Sequence, residues 1–163
     1  MLRIIKHLLI PDWWAERAFR GPLLKRIEAA VAQSERQHRG ELRFAIEGDL
    51  DARALLRGVT PRQRAIEVFA QLRVWDTAEN SGVLIYVQLI DRDIEIVADR
   101  GINERVAQAE WDAICTRMQG AFREGRFEPG ALTAIDEVAA LLARHFPARA
   151  ANPNELPDRP VVL

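Results

Sequence analysis

The chain has 163 residues, which lies in the usual size range of one domain and allows a buried core without disulfides or metals. Hydrophobic residues make up 48% and charged residues 29%, so the composition excludes a chain that is disordered throughout. The 23 Lys and Arg and the 24 Asp and Glu give a formal net charge of -1, which supplies no overall attraction to nucleic acid or to an anionic membrane.

The cysteine content and the N-terminal residues bear on the cellular compartment. Cys115 is the only cysteine, which excludes an intrachain disulfide and favours a reducing environment. The apolar run of Leu8, Leu9 and Ile10 ends at Pro11, far short of a membrane-spanning length and without a cleavage pattern. We therefore expect a cytoplasmic protein with neither a signal peptide nor a transmembrane helix.

Residues 1–21 predict an N-terminal amphipathic segment that contains Trp13 and Trp14 among arginines. Tryptophans beside cationic side chains suit a peripheral contact with a membrane surface or with a protein partner. The alternative, which the frequent burial of aromatic residues favours, is that both tryptophans fold back onto the domain.

A helix and a strand are predicted next. Leu24, Ile27 and Val31 recur at helical spacing within residues 22–39, which predicts an amphipathic helix that ends at Gly40. After that glycine, apolar and polar residues alternate as in a half-buried strand. The apolar members of this first strand are Leu42, Phe44 and Ile46.

Residues 48–59 show no clear period and predict an acidic loop, with a helical turn over residues 52–57 as the alternative. Thr60, Pro61 and Gln63 then combine an N-cap hydroxyl, a proline at the first helical position and a capping-box glutamine. They predict a helix that runs to about Arg73. Its buried face is expected to contain Ile66, Phe69 and Ala70.

Residues 83–90 are almost all apolar and rich in β-branched side chains, which predicts a central strand covered on both faces. Asp91 and Arg92 predict a turn, and residues 94–98 alternate as an antiparallel partner strand. Because a helix connects the first strand to the central strand, we expect that pair to be parallel with a right-handed crossover.

Two further helices are predicted to close the domain, with Gly125 between them. Residues 22–147 are therefore expected to form a three-layer α/β/α sandwich around a mixed sheet of about four strands. Residues 148–163 are rich in proline and predict a flexible tail. The apolar stripes of the two helices are Trp111, Ile114, Cys115, Met118 and Phe122, then Leu132, Ile135, Val138, Ala139, Leu142 and Phe146.

This topology gathers polar residues at the two ends of the sheet. With Ile90 opposite Asp93 across the hairpin, Asp99 would lie beside residues 81–84, at the end where the first strand begins. The other end holds the carboxyl ends of the parallel strands, where open α/β sheets commonly bind ligands. The first predicted cluster is Glu41, Asp76, Glu79, Asn80 and Asp99 with Arg100, and the second is Glu47, Asp49, Asp51, Asp91 and Asp93.

Either cluster offers the carboxylate and amide oxygens that Ca²⁺ and Mg²⁺ prefer. Close carboxylates repel one another unless they are protonated or bridged by a cation. We therefore predict a divalent ion at one of the two ends. The alternative is that these residues serve only turns and helix starts, where Asp and Asn are favoured by local hydrogen bonds.

Other chemistry has little support in the sequence. The HExxH, GxSxG and GxxxxGK[ST] patterns do not occur, which argues against a zinc protease, an α/β hydrolase and a P-loop enzyme. Cys115 shares an apolar stripe with Trp111 and Met118, as expected of a core residue rather than a nucleophile. No catalytic residue is assigned from the sequence.

The ordered series of motifs over residues 27–147 resembles the TPM domain. The strand-forming part of that resemblance consists of Gly40-Glu41-Leu42, Gly82-Val83-Leu84-Ile85-Tyr86-Val87, Asp91-Arg92, Ile94-Glu95-Ile96 and Asp99-Arg100-Gly101-Ile102. The closing helices match at Trp111, Met118, Phe122, Gly125, Phe127 and His145-Phe146-Pro147.

The TPM family is named after a thylakoid lumen protein, a photosystem II protection protein and a nematode receptor modulator. The resemblance implies an α/β sandwich. Some members have weak acid phosphatase activity, and some bind Ca²⁺ through acidic loop residues. The matching positions here are Glu41, Asn80 and Asp99, which favours the first cluster. Ser81 stands where the family commonly has Asn or Asp, so Asn80 is expected to supply that ligand.

From this resemblance we expect a domain that binds a ligand or an unidentified protein partner, with Ca²⁺ or Mg²⁺, in the maintenance or assembly of another complex. We expect binding rather than catalysis because the predicted site is acidic and contains no nucleophile. The alternative is a weak, metal-assisted acid phosphatase, in which a carboxylate would position or deprotonate water. Only Arg92 or Arg100 would then contact the phosphate.

Overall fold

The fold is organised around a mixed sheet with helices on both of its faces. A computed structural model of the chain describes residues 19–50, 52–150 and 152–163. The elements are α1 (Gly21–Ser34), β1 (Glu41–Glu47), α2 (Ala52–Leu56), α3 (Pro61–Gln71), β2 (Gly82–Gln88), β3 (Asp93–Ala98), α4 (Arg100–Asn103), α5 (Gln108–Arg123), α6 (Phe127–His145) and β4 (Val161–Val162).

The four strands lie in the order β3-β2-β1-β4. β1 is parallel to both β2 and β4, whereas β2 and β3 form an antiparallel hairpin. These pairings confirm the predicted parallel pair, the predicted hairpin and the mixed four-stranded α/β sandwich.

The two faces of the sheet form two separate hydrophobic cores. One face packs against α1, α5 and α6, and it includes Leu42, Phe44 and Ile46. The opposite face packs against α3 and Leu156. Every residue of β1 is buried, so the prediction of a half-buried first strand was wrong. The second face is covered because α3 and the C-terminal residues both lie over it.

Helix α3 begins with the predicted capping box. Thr60 Oγ1 accepts a hydrogen bond from the Gln63 amide at 3.1 Å, and the Gln63 side chain accepts one from the Thr60 amide at 2.9 Å. The predicted buried face was wrong, because Ala65 and Val68 are the buried residues. Ile66 is 49% exposed, Ala70 is exposed and Phe69 is only half-buried.

The hairpin register differs from the predicted one by two residues. Gln88 lies opposite Asp93, and residues 89–92 form the connection. The buried Gln88 side chain explains the longer loop, because it donates to the Gly48 carbonyl and accepts from the Asp91 amide. A shift of two residues keeps every side chain on its predicted face. It places Asp99 opposite Gly82, to whose carbonyl the Asp99 amide donates at 2.8 Å.

Helix α1 ends at Ser34, five residues before the predicted end, and α5 and α6 confirm the two predicted closing helices. Gly125 between them has a positive φ of 75°, which glycine adopts without strain. In the part of the chain that the structure describes, no helix is both long enough and apolar enough to cross a membrane.

The C-terminal residues, expected as a flexible tail, lie along the edge of β1. The Asn152 side chain donates to the carbonyls of Glu35 and His38. Val161 then pairs with Ala45, and the Leu163 amide donates to the Ile46 carbonyl at 2.9 Å. These contacts give the sheet its fourth strand.

Candidate functional site

Asp99 stands at the point where β3 ends and α4 begins. Its Oδ1 accepts a hydrogen bond from the Arg100 amide at 2.8 Å, which caps the short helix. Its Oδ2 is buried and accepts no hydrogen bond from any residue in the described ranges. A buried acceptor in this state is unusual, because buried polar atoms are nearly always satisfied in native proteins.

The backbone of residues 79–80 lies directly against the start of α4. A Cβ atom at Gly101 would meet the Glu79 carbonyl oxygen at 2.4 Å and that of Asn80 at 2.7 Å, so only glycine fits there. Asn80 itself has a positive φ of 52°, which asparagine tolerates better than most residues. The structure therefore brings Asn80 next to the helix that Asp99 caps.

Glu41 lies apart from Asp99, although both residues lie opposite Gly82, one on each side of β2. Gly82 stands between them, and a Cβ atom there would come within 1.9 Å of the Val74 carbonyl oxygen. The backbone at Val74 thus covers the strand that separates the two carboxylates. The Glu41 carboxylate instead accepts hydrogen bonds from the amides of Glu155 at 3.0 Å and Leu156 at 3.1 Å. Burial raises the pKa of Glu41 to about 7.

The other residues of the first cluster do not join Asp99 either. Asp76 is exposed and pairs with Arg73 at 2.6 Å. The Glu79 carboxylate accepts three hydrogen bonds from Arg39. Arg100 is exposed, and its guanidinium has no ion-pair or hydrogen-bond partner in the described part of the chain.

In the second cluster, the Glu47 carboxylate forms a buried network of hydrogen bonds with Arg64 and Tyr86. The Arg64 guanidinium donates to both carboxylate oxygens, at 2.7 to 3.1 Å, and the Tyr86 hydroxyl donates to Oε2 at 2.5 Å. Burial and then the hydrogen bond to Glu47 hold the pKa of Tyr86 well above its usual range. Both carboxylate oxygens of Glu47 therefore accept hydrogen bonds from Arg64, and Oε2 accepts a further one from Tyr86.

The other acidic residues of this end that the structure describes also have partners. Asp93 Oδ1 accepts hydrogen bonds from the Ile94 amide at 2.9 Å and from the Gln119 side chain at 2.8 Å. Asp49 and Asp91 each take part in further polar interactions. Asp51 lies outside the described residues, as do Trp13 and Trp14.

No group of three or more His, Cys, Asp and Glu side chains in the described ranges is arranged to hold a metal ion. Glu41 and Asp99, the two carboxylates predicted as metal ligands from the sequence, are thus not part of any such group of three. An ion bound at Asp99 would draw its other ligands from the Asn80 side chain, from main-chain oxygens or from water, all of which Ca²⁺ accepts readily.

Two residues that form hydrogen bonds at the second end of the sheet were not identified from the sequence. Arg64 and Tyr86 satisfy Glu47, and the signal for them was a glutamate inside a fully buried strand, which demands a buried donor or cation. The interpretation of Cys115 fits the structure better. Burial raises the pKa of Cys115 to about 12, so the thiol is protonated and a poor nucleophile at neutral pH.

We compared this chain with protein families, with curated proteins and with solved structures. A family model described as the TPM domain matches residues 19–141. The NMR structure of the BA42 protein from the psychrophilic bacterium Bizionia argentinensis superposes with a TM-score of 0.78 at 29% sequence identity, covering 88% of this chain and 94% of that one. The comparison with curated proteins gives no match. The chain therefore belongs to the TPM domain family.

Proposed function

We propose that this domain binds a ligand or a protein partner at the edge formed by residues 79–80 and Asp99, in the maintenance or assembly of another complex. We further propose that Ca²⁺ or Mg²⁺ contributes to that binding. The observation that carries the proposal is the buried Oδ2 of Asp99, which accepts no hydrogen bond from the described residues.

A buried acceptor without a donor costs about 1–3 kcal/mol relative to a satisfied one. A cation or an N–H group of a bound partner would recover that energy and so provide a driving force for binding at this edge. The carbonyl oxygens of Glu79 and Asn80 lie close to Gly101, two residues from Asp99. Neutral oxygens therefore lie close to the start of α4, the helix that Asp99 caps, and Ca²⁺ sites commonly use such main-chain oxygens.

A titration of the labelled protein with Ca²⁺ and with Mg²⁺, followed by amide NMR shifts, tests this proposal. We expect shifts centred on residues 79–81 and 99–101. Asp99→Asn preserves the shape of the side chain and removes its charge, and it should abolish the shifts. Asp76→Asn is the matched control, because Asp76 lies in the same predicted cluster but pairs with Arg73 in the solvent.

The absence of localised shifts at millimolar metal would reject the ion. Equal shifts in wild type and Asp99→Asn would reject Asp99 as its ligand. Retention of both wild-type and variant folds is checked by the dispersion of the amide spectrum.

The alternative function is a weak acid phosphatase at the same edge. The observation in its favour is Arg100, whose guanidinium has no partner among the described residues and follows Asp99 directly. Arginine recognises phosphate oxygens well, and a carboxylate can position or deprotonate water. Hydrolysis of p-nitrophenyl phosphate by wild type, Asp99→Ala and Asn80→Ala is the test. Activity that both substitutions leave unchanged would exclude this site as the catalytic one.

A further inference from the structure

A separate cavity of about 190 Å³ opens at the opposite end of the sheet, where β2 ends and the hairpin turns. Its apolar wall is formed by residues from β2, β3, α5 and the start of α6. The members of that wall are Val87, Leu89, Ile94, Phe122 and Phe127. Ligands of open α/β sheets commonly bind beyond the carboxyl ends of the strands, which is where this cavity lies.

Two arginines, Arg92 and Arg123, are also among the residues that line the cavity. Both residues are exposed, and neither side chain has a hydrogen-bond or ion-pair partner in the part of the chain that the structure describes. The one carboxylate of the lining belongs to Asp93, which already accepts hydrogen bonds from Gln119 and from the Ile94 amide. The lining therefore carries one positive charge in excess, beside an apolar wall.

Arg92 occupies a backbone position that favours glycine, since its φ is 56°. A non-glycine residue in the left-handed region is strained by roughly 1 kcal/mol relative to glycine. Within the described residues, the cationic side chain of Arg92 makes no ion pair or hydrogen bond that would offset this strain. A role in binding an anion would account for an arginine at this position.

From the cavity, its wall and its two unpaired guanidiniums we infer a binding site for a small carboxylic acid with a compact apolar body. One carboxylate neutralises the excess charge and accepts paired hydrogen bonds from a guanidinium fork. The apolar body packs against Phe122 and Phe127, whose rings contact each other at a centroid distance of 5.1 Å. Drug-sized ligands require cavities of roughly 300–1,000 Å³, so this one selects for a smaller molecule.

This site lies across the sheet from Asp99, at the other end of β2 and β3, and it does not depend on the proposed function. Loss of binding at one end leaves the other intact. The two proposals can therefore fail separately.

The test uses the full chain and benzoate as the probe, with benzamide as its uncharged counterpart and acetate as the anion without an apolar body. Amide NMR shifts report the binding. We expect benzoate to shift resonances at residues 87–94 and 119–127, and both benzamide and acetate to bind at least roughly tenfold more weakly because each lacks one of the two interactions.

Three variants sharpen the result. Arg92→Gln keeps the backbone strain and removes the charge, whereas Arg92→Gly removes both and should raise the melting temperature. Both should weaken benzoate binding by roughly tenfold or more, since each removes a charge-assisted hydrogen bond. Arg73→Gly is the matched control, because Arg73 has a similar φ of 54° but does not line the cavity. It should leave benzoate binding unchanged.

Loss of binding in the more stable Arg92→Gly protein could not be attributed to unfolding. Equal binding of benzoate and benzamide would overturn the inference, because the guanidiniums would then play no part. Unchanged binding in both Arg92 variants, or a benzoate titration without localised shifts, would overturn it as well.

Discussion

Glu47 shows how one charged residue constrains its surroundings when its strand is buried on both faces. The residue is 5% exposed, and its carboxylate is held by Arg64 and Tyr86. Taking a charge out of water is unfavourable unless the charge is paired and hydrogen-bonded. The three side chains therefore act as one unit, and changing any of them affects the others.

We predict that Tyr86→Phe destabilises the protein by about 1–2 kcal/mol, because it removes a donor to a buried carboxylate. Urea denaturation of wild type and variant measures the change. In a Glu47→Gln background the same substitution should cost less, since the charged acceptor is gone. An equal cost in both backgrounds would show that the Tyr86 hydroxyl is not coupled to the Glu47 charge.

Glu35 is another buried carboxyl, 9% exposed and close to Glu41 and Asp158. Burial, and then repulsion from Glu41, raises the pKa of Glu35 from 4.5 to about 9. The folded chain thus holds this proton more tightly than the unfolded chain does. Stability contributed by the protonated form should fall as pH rises from about 4.5 to about 9, by at most about 1.4 kcal/mol per pH unit.

Glu35→Gln, which mimics the protonated carboxyl, should flatten that pH dependence and stabilise the protein at the alkaline end. Urea denaturation across the same pH range is the measurement. Glu104→Gln, at an exposed position, is the control and should leave the slope unchanged. A slope that Glu35→Gln does not alter would assign the pH dependence to another group, of which Glu41 is the first candidate.

At the scale of elements, the C-terminal residues are an integral part of the sheet. Leu156 belongs to the core between α3 and the sheet, and its amide donates to Glu41. Leu156→Ala should therefore destabilise the protein by about 2–3 kcal/mol, measured by thermal or urea unfolding. Val162→Ala, at a position that is 54% exposed, should change stability by less than about 0.5 kcal/mol. Similar small effects of both substitutions would show that these residues do not pack as described.

The types of the elements were predictable from the sequence because they depend on local periodicity. The buried face of α3 and the register of the β2–β3 hairpin were not predictable. The stripe of Ile66, Phe69 and Ala70 is apolar in the sequence, yet Ala65 and Val68 are the residues of α3 that are buried. This orientation is the one in which Arg64 donates hydrogen bonds to Glu47. Likewise, the hairpin loop is set by Gln88, whose side chain bonds to Gly48 in another part of the chain. Such long-range polar contacts leave no periodic signal.

At the scale of the whole molecule, the order and directions of β1, β2 and β3 were predictable because crossover rules leave few topologies. The place of β4 was not predictable, since its residues were expected to form a flexible tail. The membership of the candidate site was only partly predictable. The backbone of Asn80 approaches Gly101, in the helix that Asp99 caps. Glu41 lies opposite Gly82, as Asp99 does, but the Val74 backbone over Gly82 and the C-terminal amides direct it elsewhere. Neither of those contacts follows from strand geometry alone.

The edge formed by Asp99 and residues 79–80 is where we expect this TPM domain to bind its ligand. Paramagnetic broadening by Mn²⁺, which replaces Mg²⁺ at oxygen sites, locates a bound ion because the effect falls off steeply with distance. We predict that trace Mn²⁺ broadens the amides of residues 79–81 and 99–101 and spares Glu47 and residues 89–93. Broadening centred on that second end of the sheet, or spread evenly over the surface, would show that Asp99 is not the binding residue.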